Sequence, residues 1–301
     1  MKIAIAGGTG FVGMALVNEL SKYDHEIVIL TRRTRKSSEK ANVRYTQWLT
    51  DNANPVMDLQ DTDIFINLAG ESINSGRWTE ERKSKILYSR IEAVDAVLDI
   101  INQLDRKPQA LINASAIGIY GTSETKVFTE NNEKLGTDFL AETVVKWEQE
   151  ASKAVSLGIR TVLCRFGIIL EKDAGALPKM LMPYKWFIGG NIGSGKQWMS
   201  WIHLEDVVKG IIFAIENKQI QGPVNFTAPH PVMMSDFGKT LAQVLHRPHW
   251  LPVPSFALRL LLGEMSTLVV DGQKVLPNKL LDHGFQFQYP TLEKALKNIF
   301  S

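Results

Sequence analysis

Cysteine is almost missing from this chain: Cys164 is the only one in 301 residues. That excludes an intramolecular disulfide and fits a reducing compartment. Cys164 sits in the apolar run Thr161–Cys164 and reads as a small core residue rather than a nucleophile. Long apolar runs are missing as well. The most apolar stretch, Phe256 to Leu262, is broken by Arg259 and stops at Gly263, far short of the ~20 residues that span a bilayer. Met1-Lys2 leads straight into a short apolar run and a glycine turn, so no signal peptide and a cytoplasmic location are expected. An excess of one charge is lacking too. The formal net charge is +2, too small to point to a nucleic-acid partner, and neither nucleic acid nor membrane is expected as a partner.

What is present is an ordinary globular balance, 45% hydrophobic and 22% charged residues. The length supports a sizeable core, in one large unit or two fused ones. The first half alternates strand and helix patterns. Short apolar runs at Ile3–Ala6, Glu26–Leu30, Asp63–Leu68, Ala110–Ala114 and Thr161–Arg165, with a weaker one near Val43–Trp48, predict strands. Helical spacing marks Phe11 to Leu20, Thr79 to Leu104 with Thr79 as N-cap, and Asp138 to Ala154. Strands separated by helices of this length make βαβ units, hence an α/β fold of the Rossmann type with a doubly wound parallel sheet. After about residue 170 the rhythm changes. Glycine, proline and tryptophan collect between Gly175 and Trp201, followed by helices at Leu204–Glu216 and Ser235–Leu245 and a strand at Val224–Thr227. The expected division is a dinucleotide-binding part, residues 1–170, and a smaller C-terminal substrate-side part, residues 171–301, with some elements returning to the first sheet.

The first strand runs into Gly7-Gly8-Thr9-Gly10-Phe11-Val12-Gly13. One glycine makes the strand-to-helix turn, one lets a pyrophosphate approach the backbone, and one lets helix and strand pack closely. The free N–H groups at the helix start would face the phosphates. Gly7, Thr9, Gly10, Phe11, Val12 and Gly13 are therefore candidate cofactor contacts. NAD sites usually carry an acid ~20 positions on. Here that place reads Thr31-Arg32-Arg33-Thr34-Arg35-Lys36, with no acid until Glu39. A guanidinium can clamp the 2′-phosphate of NADP, so Arg32 and Arg33 point to NADP(H).

The glycine turn, Asn67-Leu68-Ala69-Gly70-Glu71, Ser115-Ala116-Ile117-Gly118-Ile119-Tyr120-Gly121 and Trp201-Ile202-His203-Leu204-Glu205-Asp206 together resemble the extended short-chain dehydrogenase/reductase superfamily. The closer resemblance is to its atypical branch of epimerase family proteins, similar to nucleoside-diphosphate-sugar epimerases. The run Gly189 to Trp198, His246-Arg247-Pro248, Gly263-Glu264-Met265 and Gly272 to Pro277 match that branch and extend the likeness over nearly the whole chain. The resemblance implies a Rossmann part with a small C-terminal part, an NADP(H) cofactor, and Leu68, Ala69 and Gly70 against the adenine-ribose. It gives the hydroxyl of Ser115 the role of bonding the substrate oxygen, the alternative being a turn cap. Arg90 reads either as a contact to a cofactor phosphate or ribose, or as solvated surface.

The same superfamily works with a Tyr-x-x-x-Lys pair, the lysine lowering the pKa of the proton-transferring tyrosine. None of the six tyrosines here has lysine four residues on, and the expected helix reads Phe139-Leu140-Ala141-Glu142-Thr143-Val144-Val145-Lys146-Trp147-Glu148. Three readings stay open: an NADP(H)-dependent oxidoreductase or epimerase-like enzyme acting on a small molecule, a non-catalytic NADP(H)-binding sensor, and a scaffold that keeps the Rossmann part only for stability. No metal site is expected: His203 and Asp206 lack a third ligand and read as fixing the start of a helix at the pocket rim. Trp186, Trp198, Trp201 and Trp250 read as core or pocket wall. Gly189, Gly190, Gly193 and Gly195, with Lys196 beside them, read as a loop that approaches a ligand or closes as a lid.

Overall fold

Ile3, Ala4, Ile5 and Ala6 are buried on both faces of their strand, which requires helices above and below it. The computed structural model describes residues 1–33, 38 and 40–301; Arg35, Lys36 and Glu39 of the basic run lie outside the described residues. Seven strands form one sheet: β1 (Lys2–Ala6), β2 (Glu26–Thr31), β3 (Val43–Gln47), β4 (Ile64–Asn67), β5 (Ala110–Ala116), β6 (Arg160–Phe166) and β7 (Gly222–Phe226). All neighbouring pairs are parallel, in the order β3-β2-β1-β4-β5-β6-β7. The order reverses between β1 and β4, and the carboxyl ends of strands at such a reversal leave a crevice. Ala6 stands level with both Leu30 and Asn67, so the ends of β1, β2 and β4 open into the same space.

Helix α1 (Phe11–Leu20) and the later helix Leu204–Glu216 cover one face, burying Leu16, Val17, Ile211 and Ala214 against Ile5, Ile29 and Ile112. The other face is covered by α2 (Glu80–Gln103) and α3 (Phe139–Ser156), which bury Val94, Val97, Trp147 and Ala151 against Phe65, Leu111 and Leu163. Both start on a side-chain cap, of which Thr79 is the one expected from sequence. Thr79 Oγ1 accepts from Arg82 N at 3.2 Å, with Glu80 and Glu81 in the first turn; Asp138 Oδ1 accepts from Leu140 N and Ala141 N at 2.9 and 3.1 Å. Each such cap contributes about 1 kcal/mol. Cys164 is fully buried on β6, and burial pushes its thiol pKa up.

Beyond residue 170 the chain does not form a second sheet of any size. It contributes β7 to the large sheet, one small pair of its own, Trp198–Met199 with Val232–Met233, and one strand each to two others, Trp201–His203 beside Ile168–Leu170 and Lys274–Val275 beside Val127–Phe128. A third core of Leu177, Leu181, Trp201, Phe237, Leu241, Leu292 and Leu296 holds the C-terminal helices. No helix among the described residues is long and apolar enough to cross a membrane.

One buried polar chain stitches the halves together. Glu148 accepts from Arg165 Nε and Nη2 at 2.8 and 2.7 Å, Arg165 Nη1 donates to Tyr120 OH at 2.8 Å, and Tyr120 OH donates to Asn225 Oδ1 at 2.8 Å. Asn225 Nδ2 then donates to Leu276 O at 2.9 Å, and Asn225 N and Lys279 N both donate to Glu130 Oε1.

Candidate functional site

The turn after β1 is crowded on one side and open on the other. Gly7 has φ +77°, and a Cβ there would lie 2.6 Å from Leu68 C; one on Gly13 would lie 2.2 Å from Gly7 O. These two are required by packing alone. Gly10 differs. It is exposed, and a Cβ would meet only Gly7 O, at 3.2 Å. It caps α1 with extended backbone (φ −78°, ψ 172°), with no side-chain cap and no acid in the first turn. Among the described residues the leading amides of α1 therefore lack a side-chain partner, the arrangement that receives an anion. Thr9 is exposed beside it, and Phe11 and Val12 are half-buried.

Arg32 and Arg33 are exposed at the end of β2, where Arg33 N donates to Thr31 Oγ1 at 3.2 Å. At the end of β4, Asn67 is buried. Its Nδ2 donates to Asn113 Oδ1 at 2.8 Å and its Oδ1 accepts from Ala69 N at 3.1 Å, fixing the turn Leu68-Ala69-Gly70. Arg90 crosses from α2 to this turn, since a Cβ on Gly70 would sit 3.2 Å from Arg90 Cγ. Arg90 Nη1 donates to Ile86 O at 2.7 Å, and its guanidinium lies over the Trp147 ring. Among the described residues no carboxylate forms an ion pair with it. Burial lowers its pKa to about 10, so it stays cationic at neutral pH.

A cleft of about 670 Å³ continues from Phe11 and Arg90 along the ends of β5 and β6. The floor is Ala116, Ile117 and Phe166-Gly167-Ile168-Ile169; one wall is α3, through Phe139, Leu140, Thr143, Val144 and Trp147; Trp78 closes one end. Glu264, Thr267, Leu268, Asp271 and Gln273 of the C-terminal segment form the opposite side. The sequence pattern gave these last residues no site role; Glu264 and Gln273 fall within the stretches Gly263-Glu264-Met265 and Gly272 to Pro277, and Thr267, Leu268 and Asp271 fall in neither. The segment is pinned: Gln273 Nε2 donates to Ile117 O at 3.2 Å, Ser200 Oγ to Gln273 O at 2.8 Å, and Ser123 N to Gly272 O at 2.9 Å.

Ser115 does not face this cleft. It is 2% exposed, and its Oγ donates to Glu148 Oε1 at 2.5 Å. Strand alternation explains the correction: the adjacent Ala116 lines the cleft, and Ser115 points to the buried side. Its hydroxyl holds an acidic partner of Arg165 instead of a substrate.

Residues 3–226 match the NAD dependent epimerase/dehydratase family, and residues 253–299 match a domain of unknown function (DUF1731). This chain belongs to that epimerase/dehydratase family. It is 50% identical over 301 residues to the epimerase family protein YfhF of Bacillus subtilis, covering 100% of this chain and 98% of that one. Its fold superposes on the human epimerase family protein SDR39U1 (isoform 2), solved with NADPH, with TM-score 0.87, 29% identity and 99% of both chains covered. UDP-glucuronic acid 4-epimerase from Bacillus cereus, solved with NAD, has TM-score 0.78 over 99% of this chain and 96% of that one, at 15% identity, a likeness of fold alone.

Within this epimerase/dehydratase frame, the face that α3 turns to the cleft holds the four-apart pairs Phe139–Thr143, Leu140–Val144 and Thr143–Trp147. None joins a tyrosine to a lysine, and the Thr143 hydroxyl is occupied as a donor to Phe139 O at 2.8 Å. Asp138 is used as the cap, and Glu264 pairs with Lys83 at 2.6 Å.

Other expectations resolve differently. The glycine run does not line the cleft. A Cβ on Gly190 would lie 1.9 Å from Leu251 O and one on Gly189 2.4 Å from the Tyr184 ring, while Trp250 N and Gly193 N bond across to Gly189 O and Val253 O. These glycines serve close packing, and Lys196 is exposed outside the cleft. His203 Nδ1 caps the helix Leu204–Glu216 by accepting from Glu205 N at 3.1 Å. Asp206 accepts from Gln288 N and Tyr289 N at 2.7 and 3.0 Å, and its pKa is raised because burial outweighs these bonds. Neither lines the cleft. Trp201 is core and Trp198 is cleft wall, but Trp186 and Trp250 are 73% and 65% exposed.

Proposed function

We propose that this protein binds NADP(H) along the carboxyl ends of β1, β2 and β4 and transfers hydride between its nicotinamide and a small molecule held in the cleft. The residues fit a dinucleotide: open backbone at Gly10, helix amides without a side-chain cap, and an unpaired cation at Arg90 that a phosphate would neutralise. When bound, the nicotinamide supplies the hydride chemistry. The chain's own share is to orient the two reactants and to exclude water with Trp78, Phe139, Leu140 and Leu268. On this reading residues 1–170 are the dinucleotide part and 171–301 the substrate-side part, and the buried, reduced Cys164 fits a cytoplasmic setting.

The observation that carries the choice of NADP(H) is the exposed pair Arg32 and Arg33 at the end of β2; the NADPH in the human relative supports it. Titration calorimetry with NADPH and NADH tests it. One charge-assisted bond contributes about 1.5–3 kcal/mol, so NADPH should bind roughly ten- to a hundredfold tighter, and the double substitution Arg32→Ala, Arg33→Ala should erase the difference. Equal affinities in the unmodified protein would overturn it.

A second reading is favoured by the α3 face. Without a tyrosine–lysine pair, the protein would hold NADP(H) and report its state without turnover. It predicts tight NADPH binding with no consumption on any carbonyl or nucleotide-sugar panel.

A further inference from the structure

We infer that the substrate half of the cleft takes an uncharged compound with an aromatic or alkyl body, and not a nucleoside diphosphate sugar. The inference rests on the reading that a dinucleotide occupies the ends of β1, β2 and β4. Away from that edge the walls are Trp78, Phe139, Leu140, Trp198 and Leu268. Trp78 and Phe139 meet edge to face with ring centres 5.3 Å apart, a preformed aromatic corner.

The polar lining has the wrong charge for a diphosphate. Asn74, Thr122, Thr143, Ser200, Thr267 and Gln273 are uncharged, and Asp138, Glu264 and Asp271 are acidic. Asp271 has no ion pair among the described residues. Arg90 is the one cation among the described residues that line the cleft, and it packs against Gly70 on the dinucleotide side. Of the cations nearby, Lys274 Nζ lies over the Trp198 ring, 4.5 Å from its centre, and three others are turned to protein acceptors. Lys83 holds Glu264 and Glu80 at 2.6 and 3.1 Å, Arg77 Nη2 donates to Leu261 O at 3.0 Å, and Lys179 Nζ donates to Asn74 O at 2.8 Å.

A diphosphate entering here would lose water without gaining charge-assisted partners, and would approach Asp271. An uncharged apolar body gains from the same walls, and a single oxygen on it finds donors in the Gln273 and Asn74 amides. Placing three acids and six uncharged polar groups around a mostly apolar slot selects by charge before it selects by shape.

The test is calorimetry on protein first saturated with NADP⁺, titrated separately with 4-phenylbutan-2-one and with UDP-glucose. The NADP⁺ titration itself checks the dinucleotide reading, so its failure is seen before the inference is tested. The ketone should bind roughly tenfold tighter or more than UDP-glucose. Phe139→Arg, verified as folded by its melting curve, should weaken the ketone and strengthen UDP-glucose. Asp271→Asn, which keeps the side-chain shape, should raise UDP-glucose affinity severalfold. Tighter binding of UDP-glucose than of the ketone, or binding of neither by NADP⁺-saturated protein, would overturn the inference.

Discussion

The guanidinium carbon of Arg90 lies 5.1 Å from the centre of the Trp147 ring, a cation stacked on an aromatic wall with no carboxylate paired to it among the described residues. Such a contact contributes about 0.5–2 kcal/mol, and it holds the charge ready at the cleft for an anion. Replacing Arg90 with methionine should leave the melting temperature nearly unchanged and weaken NADPH binding roughly ten- to a hundredfold, the worth of one charge-assisted bond. Quenching of tryptophan fluorescence by NADPH measures it; undiminished affinity would remove Arg90 from the site.

The glycines of the first turn should separate under alanine substitution. Gly13→Ala forces a methyl to within 2.2 Å of Gly7 O and should cost about 1–3 kcal/mol or more of stability. Gly10→Ala meets only one atom, at 3.2 Å, in a backbone conformation any residue adopts. That variant should fold normally and lose NADPH affinity at least roughly tenfold, because the methyl stands where a pyrophosphate would approach. Melting curves and calorimetry on the two variants give the contrast directly, and equal effects of both on folding would refute it.

Ser115 and Glu148 should behave as structural residues. Ser115→Ala removes one hydrogen bond to a charged group, about 1.5–3 kcal/mol, and should leave NADPH binding and any turnover intact. Glu148→Leu leaves Arg165 buried without its acid and should cost about 3–5 kcal/mol. Loss of turnover in Ser115→Ala at unchanged melting temperature would restore the hydroxyl to the chemistry.

The outer faces of α2 and α3 carry a pH-dependent contact. Partial burial and the neighbouring Glu150 push Asp95 up to about 6; in Glu150 burial is outweighed by hydrogen bonds with Asp95 and Lys153, and its pKa is lowered. A carboxyl raised on folding binds its proton more tightly in the folded chain. Its contribution to stability is present at pH 4 and is lost as pH rises through about 6. Asp95→Asn should therefore raise stability relative to the parent at pH 7.5 and not at pH 4, by about 1 kcal/mol at most for so solvated a pair. Urea midpoints at the two pH values are the measurement, and an advantage at the lower pH alone would reverse the assignment.

The fold was legible because its signals are local. The apolar runs, the cap Thr79 and the glycine turn each act within a few residues. What escaped depends on distant partners. Strand alternation turns Ser115 away from the cleft once Ala116 faces it, but the partner of its hydroxyl, Glu148, lies 33 residues on, and nothing near Ser115 announces which face the cleft takes. Gly190 needs to be glycine because of the carbonyl of Leu251, and Gly189 because of the ring of Tyr184; the cluster looks the same in sequence whether it hugs a ligand or its own chain. Leu268 and Gln273 reach the cleft only because Gly272 packs on Trp198 and Ser200 holds the Gln273 carbonyl.

The bonds from Asn225 to Glu130 and to Leu276 impose an order on synthesis. Strand β7 closes the sheet, yet the groups that cover its outer edge include the carbonyls of Leu276 and Val275, the latter accepting from Thr227 Oγ1. Asn225 and Leu276 are 51 residues apart; at ~5–20 residues per second, a ribosome takes several seconds to bridge them. During that interval a nascent chain presents an unfinished strand edge, the surface most prone to mispairing with a neighbour. Ribosomes stalled after β7 has emerged from the exit tunnel but before Leu276 has should therefore display a chain open to proteases and chaperones along β7, and release of the finished chain should close it.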